Sequence, residues 1–289
     1  MNAREIIYQY DGSFNGFLCC VFESYSKKEI PTAFFSVEDD CLCLFEVRSI
    51  ITDPAHAKRV YRSFAKISPK VGPFLQRVFL TDLTEKELAL YRFIVKLYQQ
   101  GAPLLNALFD ETYAPLLKAV RHLSGEAEKL RGFLRFSDFG GILGAEIEPK
   151  NRILQVLRPH FCQRFHDESF FIYDRTHHEA LLYADGVSRI VPLEHFQMAQ
   201  PDEAEAAYRR LWKRFYDTIA IRERENPRCQ RTNLPLRYRS TMTEFQSESF
   251  FKPRFAISPA DAKEPVFPDV KPAPATRAKS EPPAAASNP

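Results

Sequence analysis

Glycine is scarce in this chain of 289 residues: it occurs 10 times, about half the usual ~7% share. A Gly-rich phosphate cradle therefore has no obvious place. Gly140, Gly141 and Gly144 fall between two apolar stretches and read as a turn, not as a strand-to-helix phosphate loop. No apolar run approaches the ~18 residues of a membrane span. Met1–Tyr10 is polar and of mixed charge, without the apolar core of a signal peptide. The six cysteines, Cys19, Cys20, Cys41, Cys43, Cys162 and Cys229, make no Cys-x-x-Cys pair and no zinc or iron–sulfur spacing. They are expected to be reduced, small hydrophobic residues of a cytoplasmic protein. The seven histidines form no His-Glu-x-x-His motif. No metal or cofactor is expected.

What is present is globular. Hydrophobic residues make up 45% and charged residues 27%, with a formal net charge of +3, enough apolar chain for a sizeable core. The pattern predicts an α+β fold. Residues 1–130 read as mostly helical, after a short strand Ile6–Tyr10 and strands at Thr32–Val37 and Leu42–Ile51. Asp11 or Ser13 caps a helix carrying Phe14, Phe17, Leu18, Val21 and Phe22; Asp53 and Pro54 open the next. A further helix covers Lys70–Leu80. Thr84 and Glu87 have capping-box spacing for a helix ending at Gly101, and Asp110–Leu130 continues as helix.

From residue 131 to 200 the period changes. Gly132–Asp138 and Ile142–Ile147, a helix through Phe161, then Ser169–Asp174 and Glu179–Ala184 suggest an antiparallel ββαββ sheet, followed by Val187–Pro192. Residues 201–257 bring an amphipathic helix, Glu203–Arg224, and a Pro-punctuated basic segment packed on the same domain. Residues 258–289 are rich in Pro and Ala and read as a disordered tail.

The charge pattern carries the clearest functional signal. Between Ala206 and Ser240 ten Lys or Arg face three Asp or Glu, a local +7 within a chain of +3. Arginine suits bidentate phosphate contacts, and aromatic residues are interleaved, the combination that single-stranded nucleic acid uses. Arg209, Arg210, Lys213, Arg214, Arg224, Arg228, Arg231 and Arg237 are the candidate phosphate contacts, with Gln230 and Tyr238 as candidate base contacts. Helical geometry turns Tyr208 and Trp212 inward. A weaker candidate set for chemistry is His160, His166, Glu146 and Glu148; the two glutamates share one strand face and could share a divalent cation.

Several motifs taken in order resemble a bacterial family assigned to DNA metabolism. They are Tyr10-Asp11-Gly12-Ser13-Phe14 with Gly16-Phe17-Leu18; Thr52-Asp53-Pro54; Gly132-Phe133-x-Arg135-Phe136; Ala145-Glu146-Ile147-Glu148-Pro149; Pro159-His160-Phe161-x-x-Arg164-Phe165; and Asn226-Pro227-Arg228-x-Gln230 with Pro235-x-Arg237-Tyr238. The family carries a domain of unknown function. Its members are typically encoded beside a radical-SAM protein of DNA modification or repair, and some are fused to a uracil-DNA-glycosylase-like domain. The resemblance implies DNA and the radical-SAM protein as partners, and supplies no catalytic residues. Glycosylase-like motifs and the radical-SAM cysteine triplet are absent from this chain. The expected function is a nucleic-acid-binding accessory. An enzyme acting on damaged nucleic acid and a protein-docking module are the alternatives.

Overall fold

The computed structural model describes residues 6–37, 45–194, 196–199, 201–221, 223 and 225–245. The tail 258–289, Arg222, Arg224, Cys41 and Cys43 lie outside the described residues.

Strand β1 (Ile6–Tyr10) is the centre of a three-stranded sheet, between β2 (Pro31–Ser36) and β3 (Glu46–Ser49), and it pairs in parallel with both. Parallel neighbours require a crossover, and α1 (Phe14–Lys27) supplies it between β1 and β2. Ser13 caps α1 by accepting from Gly16 N at 2.9 Å. Gly16 must be glycine-sized: a Cβ there would lie 2.1 Å from Asp11 Oδ1 and 2.9 Å from Thr52 Oγ1. Asp53 and Pro54 open α2 (Pro54–Ile67) with the cap that the sequence predicts.

Helices α3 (Val71–Phe79), α4 (Lys86–Gln100) and α5 (Tyr113–Phe133) follow. The predicted capping box fails. Glu85, with a φ of 51°, precedes α4 and makes no side-chain cap, while the Glu87 carboxylate accepts from the Tyr10 hydroxyl at 3.1 Å. A tertiary partner has taken the side chain that a capping box would use. In α5, Pro115 lies in the first turn, where its missing N–H is not needed.

The second sheet has the order β4 (Ser137–Asp138), β5 (Ile142–Ile147), β6 (Ser169–Asp174), β7 (Glu179–Ala184) and β8 (Val187–Pro192). The expected all-antiparallel arrangement is corrected here: β5 and β6 pair in parallel, from Ile142 opposite Ser169 to Ile147 opposite Asp174. Helix α6 (Leu154–Arg164) returns the chain to the starting end of β5 before β6 begins, the geometry that a parallel pair demands. The other three pairings are antiparallel. Gly140 and Gly141, with φ of 69° and 94°, make the β4–β5 turn. The strand read from Gly132 shrinks to two residues because α5 runs on through Phe133.

Two apolar cores result. One gathers Tyr8, Phe17, Phe64, Phe93 and Leu116; the other gathers Leu123, Leu130, Ile147, Leu157, Ile172 and Tyr238. Helix α5 enters both. Helix α7 (Glu203–Ile219), α8 (Pro227–Asn233) and a short 3-10 turn, Leu236–Thr241, follow the second sheet. Among the described residues no helix is long and apolar enough to cross a membrane.

Candidate nucleic-acid interface

Asp202 caps α7 by accepting from Glu205 N at 2.8 Å, and Glu203 and Glu205 in the first turn favour the helix dipole. Amphipathic spacing puts Tyr208, Leu211, Trp212, Phe215 and Ile219 on one apolar arc and turns Tyr208 and Trp212 inward. The structure corrects this. All five are exposed, Tyr208 by 70% and Trp212 by 41%, and Glu205 is the one buried residue of the helix. The surface it faces mixes Leu134, Phe136, Phe161 and Phe165 with Arg131, Arg135 and Arg164, and the arc stays open to it.

What lies there instead is a groove of about 650 Å³. Arg131 and Arg135 come from the end of α5 and the turn after it, Phe161, Arg164 and Phe165 from the end of α6, and Tyr208 and Trp212 from α7. The Arg135 guanidinium lies 5.9 Å from the Trp212 ring centre, and its Nη2 donates to Glu244 at 2.8 Å. Arg164 stacks over Phe165 at 5.6 Å. Arg131 pairs with Glu128 at the surface, while its Nε is buried without an acceptor among the described residues. His160 registers the charge of the place: burial and then the Arg131 and Arg164 cations push its pKa below the usual histidine value. The end of α6, where cations also complement the helix dipole, is thus a locus of concentrated positive charge next to exposed aromatic rings.

The residues singled out from the sequence divide into three groups. Arg210, Lys213 and Arg214 on α7, and Arg228, Gln230 and Arg231 on α8, are exposed. Arg209, Arg237 and Tyr238 are engaged internally. Arg209 donates to Glu205 at 2.8 Å and to the Ser137 hydroxyl. Arg237 donates to Glu126 at 2.8 Å, and Tyr238 is buried in the second core, 5.9 Å from Phe133. Arg224 lies outside the described residues. Arg131 and Arg135 are not among the candidate contacts of the sequence, although Arg135 stands in the Gly132-Phe133-x-Arg135-Phe136 motif. The weak signal for them was the Arg131–Arg135 spacing at the point where the helical period ends.

In the other candidate set, no hydrogen bond or ion pair among the described residues joins His160, His166, Glu146 and Glu148. His166 is exposed and pairs with Asp167 at 3.0 Å. Glu146 is half-buried on β5, its carboxyl raised by burial and by Glu148, with Arg175 acting against the shift. Among the described residues no three His, Cys, Asp or Glu side chains converge to hold a metal. The groove sets guanidinium groups beside exposed aromatic rings, groups whose chemistry suits phosphate contact and ring stacking.

Residues 84–244 match a family model described as a domain of unknown function, DUF4130, which takes in every residue that lines the groove. No curated protein matches the chain.

Proposed function

Since the chain belongs to the DUF4130 family, whose description states no activity, we propose that it is a nucleic-acid-binding protein of DNA metabolism or repair that acts as an accessory. The observation that carries this reading is the groove in which Arg131, Arg135 and Arg164 face the exposed rings of Tyr208 and Trp212. Guanidinium groups supply phosphate contacts, and exposed rings supply sequence-tolerant stacking, the two components of single-strand binding. The exposed Arg210, Lys213 and Arg214 extend the positive surface along α7. Resemblance to a bacterial DNA-metabolism family supports the further reading that the strand is presented to a radical-SAM enzyme.

Fluorescence anisotropy against single-stranded and duplex DNA over a salt series tests it. Log affinity should fall linearly with log salt. Trp212→Ala should weaken single-strand binding by about 1–3 kcal/mol while leaving the salt slope unchanged. Arg164→Glu should weaken binding and flatten the slope. No binding at low salt, or binding indifferent to both changes, rejects the groove as the site.

The exposed stripe Leu211, Phe215 and Ile219 on α7 favours a second reading, a protein-docking surface. Under that reading the radical-SAM partner would co-purify in high salt through this stripe, and DNA would not be retained.

A further inference from the structure

A cleft of about 570 Å³, sharing no lining residue with the groove, opens beside Asp11-Gly12-Ser13. Its volume falls within the ~300–1,000 Å³ typical of small-molecule sites. It lies where β1, the central strand of the parallel sheet, hands over to α1, with β2 and β3 on either side of β1. Open parallel sheets bind ligands at such carboxyl-end crevices.

Its charges are arranged unevenly. Among the described residues no carboxylate lies within ion-pair distance of the Lys86 ammonium, which sits 5.2 Å from the Phe79 ring centre. Burial lowers the Lys86 pKa and the Arg152 cation lowers it further, against a raising effect from Glu87. Two like charges thus share one cleft, Lys86 part-buried and Arg152 half-exposed, although Arg152 also holds Glu179. An anion between them would offset both the repulsion and the desolvation. The helices that begin here, α4 after Glu85 and α6 after Ile153, have no side-chain cap on their first-turn amides, which adds to the positive field.

The cleft's carboxylates are already tied down. Asp11 accepts from Ser13 N at 3.0 Å, the Ser13 hydroxyl at 2.7 Å and the Thr52 hydroxyl at 2.8 Å; although burial works against it, these bonds keep its carboxyl below the usual range. Glu87 takes the Tyr10 hydroxyl. An ionised carboxylate has about four lone-pair sites, so both can still accept from ligand hydroxyls. Phe14 and Phe79, edge-to-face at 5.4 Å, supply an apolar wall. The ligand indicated carries an anionic group, hydroxyls and a flat apolar part.

We propose that this cleft binds a nucleoside monophosphate, its phosphate between Lys86 and Arg152, its ribose hydroxyls toward Asp11 and Glu87, and its base against Phe14 and Phe79.

Isothermal titration and phosphorus NMR on the full chain test this with adenosine 5′-monophosphate, adenosine, inorganic phosphate and a 5′-phosphorylated oligonucleotide. Adenosine 5′-monophosphate should bind about tenfold or more tightly than adenosine or phosphate alone. Lys86→Gln should lose about tenfold in affinity with an unchanged thermal melt, and Lys86→Arg should recover most of it. Arg152→Gln carries the same test should the Lys86 variant not fold. Trp212→Ala, in the groove, should leave nucleotide binding untouched, so failure here and failure of the groove reading are separate results. In a Trp212→Ala background, competition between oligonucleotide and free nucleotide identifies a strand end as a source of the ligand; its absence identifies the free nucleotide. Equal affinity for adenosine and its monophosphate, unchanged affinity in both charge variants, or no binding at millimolar nucleotide overturns the proposal.

Discussion

The region around β1 and the region around β6 are both packed with aromatic rings, but among the described residues only the second also buries carboxylates. The first core is built of rings. Phe17 meets Phe34 at 5.6 Å, Phe74 meets Phe93 at 5.9 Å, and Phe93 stacks on Tyr113 at 5.3 Å. Its tyrosines face polar partners at the rim, Tyr8 toward Glu29 and Tyr10 toward Glu87. The second region buries four carboxylates, Glu126, Asp174, Glu205 and Glu244. Each is closed by directed donors. Glu126 takes Lys150 N, Asn151 N, Asn151 Nδ2 and Arg237; Asp174 takes Thr176 N and His177; Glu205 takes Arg209; Glu244 takes Arg135. Ring packing is tolerant of direction, whereas a buried carboxylate specifies which segment must arrive. Two of these links join positions 111 and 109 residues apart and tie the C-terminal segment to α5 and the turn after it.

The largest expected effect comes from the rings. Phe93→Ala should cost about 3–5 kcal/mol in urea unfolding, and a single transition would mean that the two cores melt together through α5. Next comes the directed side. Glu126→Ala leaves buried donors of Asn151 without an acceptor and should cost about 2–4 kcal/mol. A double-mutant cycle with Arg237→Ala should show coupling, and additive losses would make the link incidental. A smaller loss, about 1 kcal/mol, is expected of Asp53→Ala, which removes the α2 cap.

Glu146 gives the smallest effect and one with a sign. Burial, and then Glu148, raise its carboxyl against the pull of Arg175. The folded chain therefore keeps that proton to higher pH than the unfolded chain, and stability is lost as pH rises from the ordinary glutamate range through the raised value. Glu146→Gln should raise the melting temperature at about pH 8, and the gain should vanish near pH 4. A gain independent of pH would assign the effect to packing instead of charge.

Much of the scaffold was legible because it is local. Alternation placed β6, β7 and β8 at the residues where they occur, and Asp53-Pro54 announced α2. Alternation fixes which face a residue takes but not the direction of the neighbouring strand, so the parallel β5–β6 pairing was read as antiparallel. The exposed arc of α7 failed for a related reason. A helical period shows that an apolar face exists; whether it is covered depends on residues that lie far off in the chain. Arg237 and Tyr238 read as surface contacts because nothing nearby announces Glu126 or Phe133 as their partners. Of the small-molecule cleft the sequence shows only Asp11-Gly12-Ser13 and the helix N-terminus after it, since the cations come from α4 and the lead-in to α6.

The position of β6 has a consequence for exchange with deuterated solvent. It is hydrogen-bonded to β5 on one side and β7 on the other, and Phe170, Ile172, Tyr173 and Asp174 are buried. Its amides can exchange only when the sheet parts, so they should be among the last protons of this region to disappear. Those of β8, an edge strand with Val187 and Arg189 open to water, should go early. The order in which these signals fade would trace the sheet from its rim to its centre.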